Sequence, residues 1–453
     1  MEPVKFYLIT DTHYYKHSLS QYNEYYDDFM HYEQKCFAET QAINEAVFEY
    51  LENADEADYV LIAGDLSFNG EKESHLAFIE HLKRLQEKGK RVLVITADHD
   101  FKDKSDGCFG FDENGWIHPE VTPRDELFDL YRDFGFGDAI AVDKQHLSYV
   151  YKMSDGVRLL ALNNDGTESG RRIFEESHIE WIKEQTRKAR EDGQMMFAMS
   201  HYPLLPGQPV LALVKSAYQK DAYEVTKLLA DEGVHLCFTG HMHNQSINCI
   251  ETESGNKFYD VCTGSIIADP SIIRLVSIED SETVDIKSID TPDFEWDTKG
   301  KTCRQYLADL FDNMIVNVLY DMAYDTDRMM GKFHIDNKKL RPVLKTIGKI
   351  LQKTTLGGLG RMMFFKVDGS IKKEKVKDFA AELVRMVFEG NMYFAPGTPK
   401  GDAFIAFVNR LKPILKKVNA KGFDNQRADI ADLLIKSAYN YGIDDYNAVL
   451  KLK

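Results

Sequence analysis

Residues 4–13 read VKFYLITDTH, an apolar run of β-branched and aromatic residues closed by an aspartate and a histidine. Such a run, too short for a helix and bounded by polar residues, is the signal of a buried strand. The same pattern recurs in DYVLIAGD (58–65), RVLVITAD (91–98), LSYVYKM (147–153), VRLLALNND (157–165), MMFAMSH (195–201), VHLCFTGH (234–241), KFYDVCTG (257–264) and IIRLVSIE (272–279). Stretches with apolar residues three or four apart lie between them and predict helices over 34–52, 72–88, 177–191 and 222–232. Strands alternating with helices predict a layered α/β domain.

Beyond residue 300 the period changes. CRQYLADLFDNMIVNVLYDMAY (303–324), VKDFAAELVRMVFEG (376–390), FIAFVNRLKPILKKV (404–418) and ADIADLLIKSAYNY (428–441) are helical throughout, and the charge changes sign with them. The chain carries a net −17, but residues 301–453 hold 27 Lys and Arg against 17 Asp and Glu, a balance of +10 that leaves −27 for residues 1–300. The polar DTPDFEWDTKG (290–300) reads as a linker. The expectation is two domains, 1–295 and an α-helical 300–453, the second a cap, docked by charge, or a surface for homo-oligomers.

Composition narrows the function classes. Hydrophobic residues at 43% and charged residues at 28% describe a globular chain. The acidic total argues against bulk nucleic-acid binding. No apolar run reaches a membrane span, and the opening MEPVKFYLIT lacks a secretory signal's basic start and long apolar stretch, so a cytoplasmic protein is expected. Cys36, Cys108, Cys237, Cys249, Cys262 and Cys303 show no CxxC spacing and predict reduced thiols.

The polar residues at strand exits carry the chemistry. Asp11 and His13 close the first run, Asp65 the second, Asp98, His99 and Asp100 the third, His201 a later one, and His241 with His243 another. An Asp after a strand often caps a helix, and a lone His is usually a satisfied polar residue. Five such exits in one domain point instead to a shared site, since ligands of open α/β folds bind where strands end. Two divalent ions about 3.5 to 4 Å apart need a bridging carboxylate and a mixed His and Asp shell. Residues i and i+2 of an extended segment point the same way, which lets Asp11 with His13 and His241 with His243 converge.

The combined string DTH, GD, ADHD, H and GHMH resembles the calcineurin-like metallophosphoesterase superfamily over about residues 4–280. GDLSFNGEKESH (64–75) and TPRDELFDLYRDFGFGDAI (122–140), with the helical C-terminal region, resemble more narrowly the two-domain bacterial class III cyclic-nucleotide phosphodiesterases. The resemblance implies a four-layer α/β/β/α sandwich and a dinuclear metal-dependent phosphoric ester hydrolase, a phosphodiesterase of a small cyclic nucleotide, with a metal-bridging hydroxide as nucleophile. It implies Asp11, His13 and His243 on one ion (Mn, Fe, Zn or similar), His201, His241 and Asp98 on the other, and Asp65 between them. His99 would protonate the leaving oxygen, with Asp100 orienting its ring.

This chain departs from the family at Ala97-Asp98-His99-Asp100, where the family has Gly-Asn-His-Asp/Glu. Asp98 adds a negative charge that cancels the net positive charge two divalent ions would otherwise keep. Either a mixed Fe(III)/M(II) pair restores it, or monoanionic diesters are favoured over dianionic monoesters. Ala97 matters only if its turn needs positive φ. A phosphomonoesterase acting on nucleotides or proteins, and a degenerate binding protein, stay as alternatives. Asn69, His75, Asn163, Asn164 and Asn244 lie near the motif ends as candidate substrate contacts, each with a turn or cap role as the alternative. The tyrosine-rich YYKHSLSQYNEYYDDFMHYEQ (14–34) reads as a self-packed loop or a pocket wall. LGGLGRMMFFKVDGSIKKEKVK (356–377) is glycine-rich and basic without the GK[ST] ending of a phosphate loop.

Overall fold

Every apolar run quoted above forms a strand in the computed structural model, which describes residues 2–165, 173–439 and 442–453. In chain order the strands are β1 (Val4–Ile9), β2 (Tyr59–Ala63), β3 (Arg91–Ile95), β4 (Gly110–Asp112), β5 (Gly115–Ile117), β6 (Ala141–Asp143), β7 (Ser148–Lys152), β8 (Val157–Leu162), β9 (Met195–Ser200), β10 (Leu236–Thr239), β11 (Ser246–Glu251), β12 (Lys257–Cys262), β13 (Ile272–Ile278), β14 (Thr283–Asp290) and β15 (Ala448–Lys451). One sheet runs β15-β14-β13-β1-β2-β3 and the other β11-β12-β10-β9-β8-β7-β6. β1, β2 and β3 are parallel, as are β8, β9, β10 and β12. Their C-terminal ends therefore open on one side of each sheet.

The sheets pack face to face, with the Phe6 ring of β1 5.4 Å from Phe197 of β9 and 5.3 Å from Phe238 of β10. Helices Thr40–Asn53 and Lys72–Glu87 cover the outer face of the first sheet, and Glu176–Glu191 with Ala222–Asp231 cover the second. This is the α/β/β/α layering. It explains why β2 is apolar along its whole length and β8 everywhere but at Arg158, since both faces are buried.

Of the helix predicted over 34–52, the first six residues stay outside. The Cys36 amide donates to the Ile267 carbonyl at 3.1 Å and the Thr40 hydroxyl to the His13 carbonyl at 2.9 Å, so tertiary hydrogen bonds hold this stretch and the helix starts at Thr40. The aromatic loop packs against rings from outside it as well as its own: Tyr15 is fully buried with Phe37, Phe68 and Phe111, and Tyr22 and Tyr26 lie against them.

A capping box at Thr302 starts helix Cys303–Tyr324. Helices Arg341–Lys353, Leu356–Met363, Val376–Glu389, Pro399–Leu415 and Ile430–Lys436 follow, mostly around a core of their own. The last two residues of the helical stretch read at 428–441 lie outside the described residues. Then β15 pairs antiparallel with β14, so the C-terminal end adds an edge strand to the first sheet. Four residues, AVLK, are too short a run to read as a strand in the sequence. Contacts between the helical region and the sandwich include ion pairs of the expected sign, Arg304 with Asp290, Arg328 with Asp28 and Lys453 with Glu282, together with one acid placed the other way. Tyr32 and His31 both reach Asp321, at 2.6 and 2.7 Å, which puts that acid on the helical side. Among the described residues no helix is long and apolar enough to cross a membrane.

Candidate metal centre

Five of the seven sequence-predicted ligands stand on left-handed backbone: Asp11 (φ 51°), His13 (36°), Asp65 (52°), His241 (69°) and His243 (51°). Residues with a Cβ avoid that region, and proteins that hold them there concentrate the strain at functional sites. Convergence thus comes from tight turns at strand exits, a correction to the extended i, i+2 geometry expected from the sequence. Ala97 is not among the positive-φ residues, so its Cβ is accommodated.

Two groups of ligand atoms result, each within 4.8 Å: Asp11, His13 and His243 in one, Asp65, Asp98, His201 and His241 in the other. Neighbours His241 and His243 are split between them. Asp65 spans the two, its Oδ2 3.0 Å from His201 Nε2 and 3.6 Å from His13 Nε2. Asp11 Oδ1 lies 3.2 Å from His243 Nε2 and 3.8 Å from His13 Nε2. Asp98 and His241 are the two partly exposed members and mark the side on which the cluster meets solvent, its cleft.

The donor set asks for positive charge. The Nε2 atoms of His13 and His243 face each other at 3.1 Å, and two neutral imidazole lone pairs cannot share that space without a cation or a proton between them. Burial opposes a charge on His201, yet the Asp65 and Asp11 carboxylates push its pKa up to about 10. Burial likewise works against ionised Asp65 and Asp11, but His201 and His243 respectively hold them below the usual carboxylate range. Mixed imidazole and carboxylate sets suit divalent transition ions. The residues fit a two-metal site.

Surrounding groups fix the ligands, as metal-binding histidines require. His201 Nδ1 donates to the Ala63 carbonyl at 2.8 Å and His241 Nε2 to the Ser216 carbonyl at 2.8 Å, leaving the opposite nitrogen of each ring for the cluster. The Thr10 hydroxyl and the His241 amide donate to Asp11 Oδ2 at 2.7 and 3.0 Å. Two glycines are required here: a Cβ on Gly64 would stand 2.7 Å from His201 Nδ1, and one on Gly240 2.3 Å from Asp11 Oδ2. Buried Asp260 accepts from the Leu204 and Leu205 amides at 2.6 and 2.8 Å and from Thr239 at 2.5 Å, tying the exit of β9 to the end of β10.

His99 sits beside both groups and belongs to neither. Its Nδ1 donates to the Phe68 carbonyl at 2.7 Å, with Asn69 Oδ1 at 3.0 Å, so these residues orient the ring. That corrects the role expected of Asp100. Its carboxylate turns back to accept the Ser67 and Ala97 amides at 2.8 Å each, bracing the turn that carries Asp98 and His99.

The candidate substrate contacts mostly prove to be supports. His75 is fully buried, its ring nitrogens engaged by the Tyr131 hydroxyl at 2.6 Å and the Asp100 carbonyl at 2.8 Å. Asn164 clamps the backbone of Tyr202, next to His201, at 3.2 Å on both its amide atoms. Asn163 donates to the Thr96 carbonyl at 2.8 Å, and Asn244 is buried against Ser246 and Cys262. Only Asn69 is partly exposed beside the cleft.

Sequence reading missed Lys35. Its ammonium lies 4.4 Å from the centre of the Phe68 ring, and after burial its charge is the main influence holding both His13 and His99 below the ordinary histidine range. A lysine 22 residues beyond His13, in a tyrosine-rich loop, carries no sequence signal of its own.

The sequence model of the calcineurin-like phosphoesterase family matches residues 4–245. No curated protein matches the chain. Among solved structures it is similar to a dimetal phosphatase from Danio rerio, with 13% identity over 64% of this chain and 96% of that one and a TM-score of 0.45. Purple acid phosphatase PPD1 from yellow lupin (Lupinus luteus) seeds shares 11% identity over 64% of this chain and 52% of its own, at 0.45. The NAD nucleotidase NadN of Haemophilus influenzae shares 11% over 78% and 62%, at 0.34.

Proposed function

Because the chain belongs to the calcineurin-like phosphoesterase family, whose chemistry is metal-dependent phosphoester hydrolysis, we propose that it is a phosphodiesterase acting on a small nucleotide, with a cyclic nucleotide as the first candidate. In this reading Asp11, His13 and His243 hold one ion, His201, His241 and Asp98 the other, and Asp65 bridges. When bound, two such ions supply Lewis acidity toward the phosphoryl oxygens and lower the pKa of water from 15.7 to about 7. His99 presents its free ring nitrogen to the cleft and passes a proton to the leaving oxygen. Phe68 and Asn69 orient that ring, while Asp100 and His75 brace the turn behind it, none of them touching substrate. This chemistry falls to residues 1–295 and a covering role to the helices of residues 300–453.

Asp98 is the observation that carries the diester reading. A third carboxylate in a poorly hydrated cluster lowers the attraction for a dianionic monoester more than for a monoanionic diester, because Coulomb energy scales with both charges. Hydrolysis of bis(p-nitrophenyl) phosphate and p-nitrophenyl phosphate, measured side by side with Mn, should favour the diester. Asp98→Asn should move the ratio toward the monoester by about tenfold, or ~1.4 kcal/mol of differential attraction. A monoester preference in the parent protein that Asp98→Asn leaves unchanged would overturn it.

Lys35 favours the second reading, phosphomonoester hydrolysis, since its ammonium returns one positive charge to the cleft. It does so beside His13 and His99, where it can meet a phosphoryl or leaving-group oxygen. Lys35→Met should lower kcat/KM by about tenfold, with the loss shrinking as salt rises. If the proposed reading holds, monoester and diester lose alike. A loss confined to monoesters would support the second reading.

A further inference from the structure

Helix Leu356–Met363 lines two adjoining cavities of opposite character, both in the helical region and remote in sequence from the metal ligands. The first encloses about 320 Å³ and is lined entirely by apolar side chains, among them Leu359, Phe365, Phe379, Leu383 and Phe404. Its volume lies within the range of small-molecule pockets. It reaches the surface, because Ile347 and Met362 on its wall are 44% and 49% exposed. Next to it, Phe364 is held at the surface with 82% of its area in solvent.

The second cavity shares Phe365 with the first and measures about 430 Å³. Arg361, Lys366, Lys372 and Lys373 line it, all exposed and none in an ion pair with a carboxylate among the described residues. Asp368 feels two of them, its pKa being lowered chiefly by its hydrogen bonds to Ser370 and, to a lesser extent, by Lys366 and Lys372. From residue 338 to 377 the chain carries twelve Lys and Arg against two Asp and Glu.

We propose that the helical region binds one single-chain anionic amphiphile, its alkyl or acyl chain in the apolar cavity and its phosphate head among Arg361, Lys366, Lys372 and Lys373. An apolar cavity lined this way excludes water and accepts hydrocarbon, which regains the dispersion contacts an unfilled void forfeits. Neither half suffices alone. The apolar cavity offers no polar atom to orient a ligand, and four solvated cations hold a small anion weakly, while an occupant joining both ends satisfies the two at once. The glycine-rich stretch at 356–377, which lacks a nucleotide loop's ending, forms the wall between them.

The test titrates dodecylphosphonate, kept below its micelle concentration, into metal-loaded full-length protein by calorimetry, with dodecanol and inorganic phosphate alongside. A phosphonate has no ester for the metal site to cleave. One saturable site per chain is expected, at least about tenfold tighter than inorganic phosphate. Ala380→Phe, which fills the cavity, should weaken both dodecylphosphonate and dodecanol. Lys372→Glu with Lys373→Glu, on exposed residues, should weaken only the phosphonate, and carries the test if Ala380→Phe does not fold. Binding that ignores both sets of substitutions would place the ligand elsewhere, including at the metal centre, and overturn the proposal. Absence of saturable binding would overturn it too, as would adsorption to phosphatidylglycerol vesicles without binding of the monomer.

Discussion

Asp65→Asn leaves the protein with at most one bound metal ion per chain and lowers phosphoester hydrolysis by about three orders of magnitude. Asp65 is the carboxylate that faces both groups, 3.0 Å from His201 and 3.6 Å from His13, so an amide there removes the shared anionic ligand. Lewis-acid stabilisation of developing charge is worth several kcal/mol, and ~1.4 kcal/mol is tenfold in rate, which sets the size of the loss. Elemental analysis of the purified variant, with its hydrolysis of the diester, checks both halves. A melting temperature near the parent's separates metal loss from misfolding. Two ions retained with full activity would mean that Asp65 does not bridge. The degenerate-binding alternative predicts that the parent protein already lacks the second ion, so the same analysis on the parent separates it from the enzyme readings.

His99→Ala keeps both metals and loses about 10² to 10⁴ in kcat, the range for a positioned general acid. The ring stands outside both ligand groups, and its Nδ1 is taken by Phe68 and Asn69. Its other nitrogen is therefore the one left to meet substrate in the proposed reading. Proton transfer matters most where the leaving oxygen is basic, so the loss should be larger for a nucleotide ester, which expels an alkoxide, than for a p-nitrophenyl ester, which expels a stabilised phenolate. Rates of parent and variant on both substrates decide it. Equal losses would show that His99 only orients the phosphoryl group.

These expectations rest on residues that differ in how far the sequence announced them. Asp11, His13, Asp65, His201, His241 and His243 are legible because strand exits are local: an apolar run ends, a polar residue follows, and the fold class places such ends together. Lys35 is not legible, because its loop reaches the cleft only through contacts such as the Cys36 amide on the Ile267 carbonyl, more than 200 residues away in the chain. Asp100 was legible as a site residue and misread in role. Its type and position fit a partner for His99, but two backbone amides in the folded turn capture the carboxylate first. His75 shows the same limit, since a histidine's sequence position does not say whether Tyr131 and a carbonyl will bury both ring nitrogens.

By itself the sequence determined nine strands and the four covering helices of the sandwich, the change to a basic helical region near residue 300, and the candidate metal-binding set, for period, charge and residue type are properties of the chain. The tertiary structure alone decided which ligands share a cluster, that left-handed turns rather than extended strands aim them, that β15 returns to the first sheet, and that an apolar cavity lies against a basic one. Each of those depends on contacts between residues distant along the chain, and burial and hydrogen-bond competition among such residues are settled only when the layers pack.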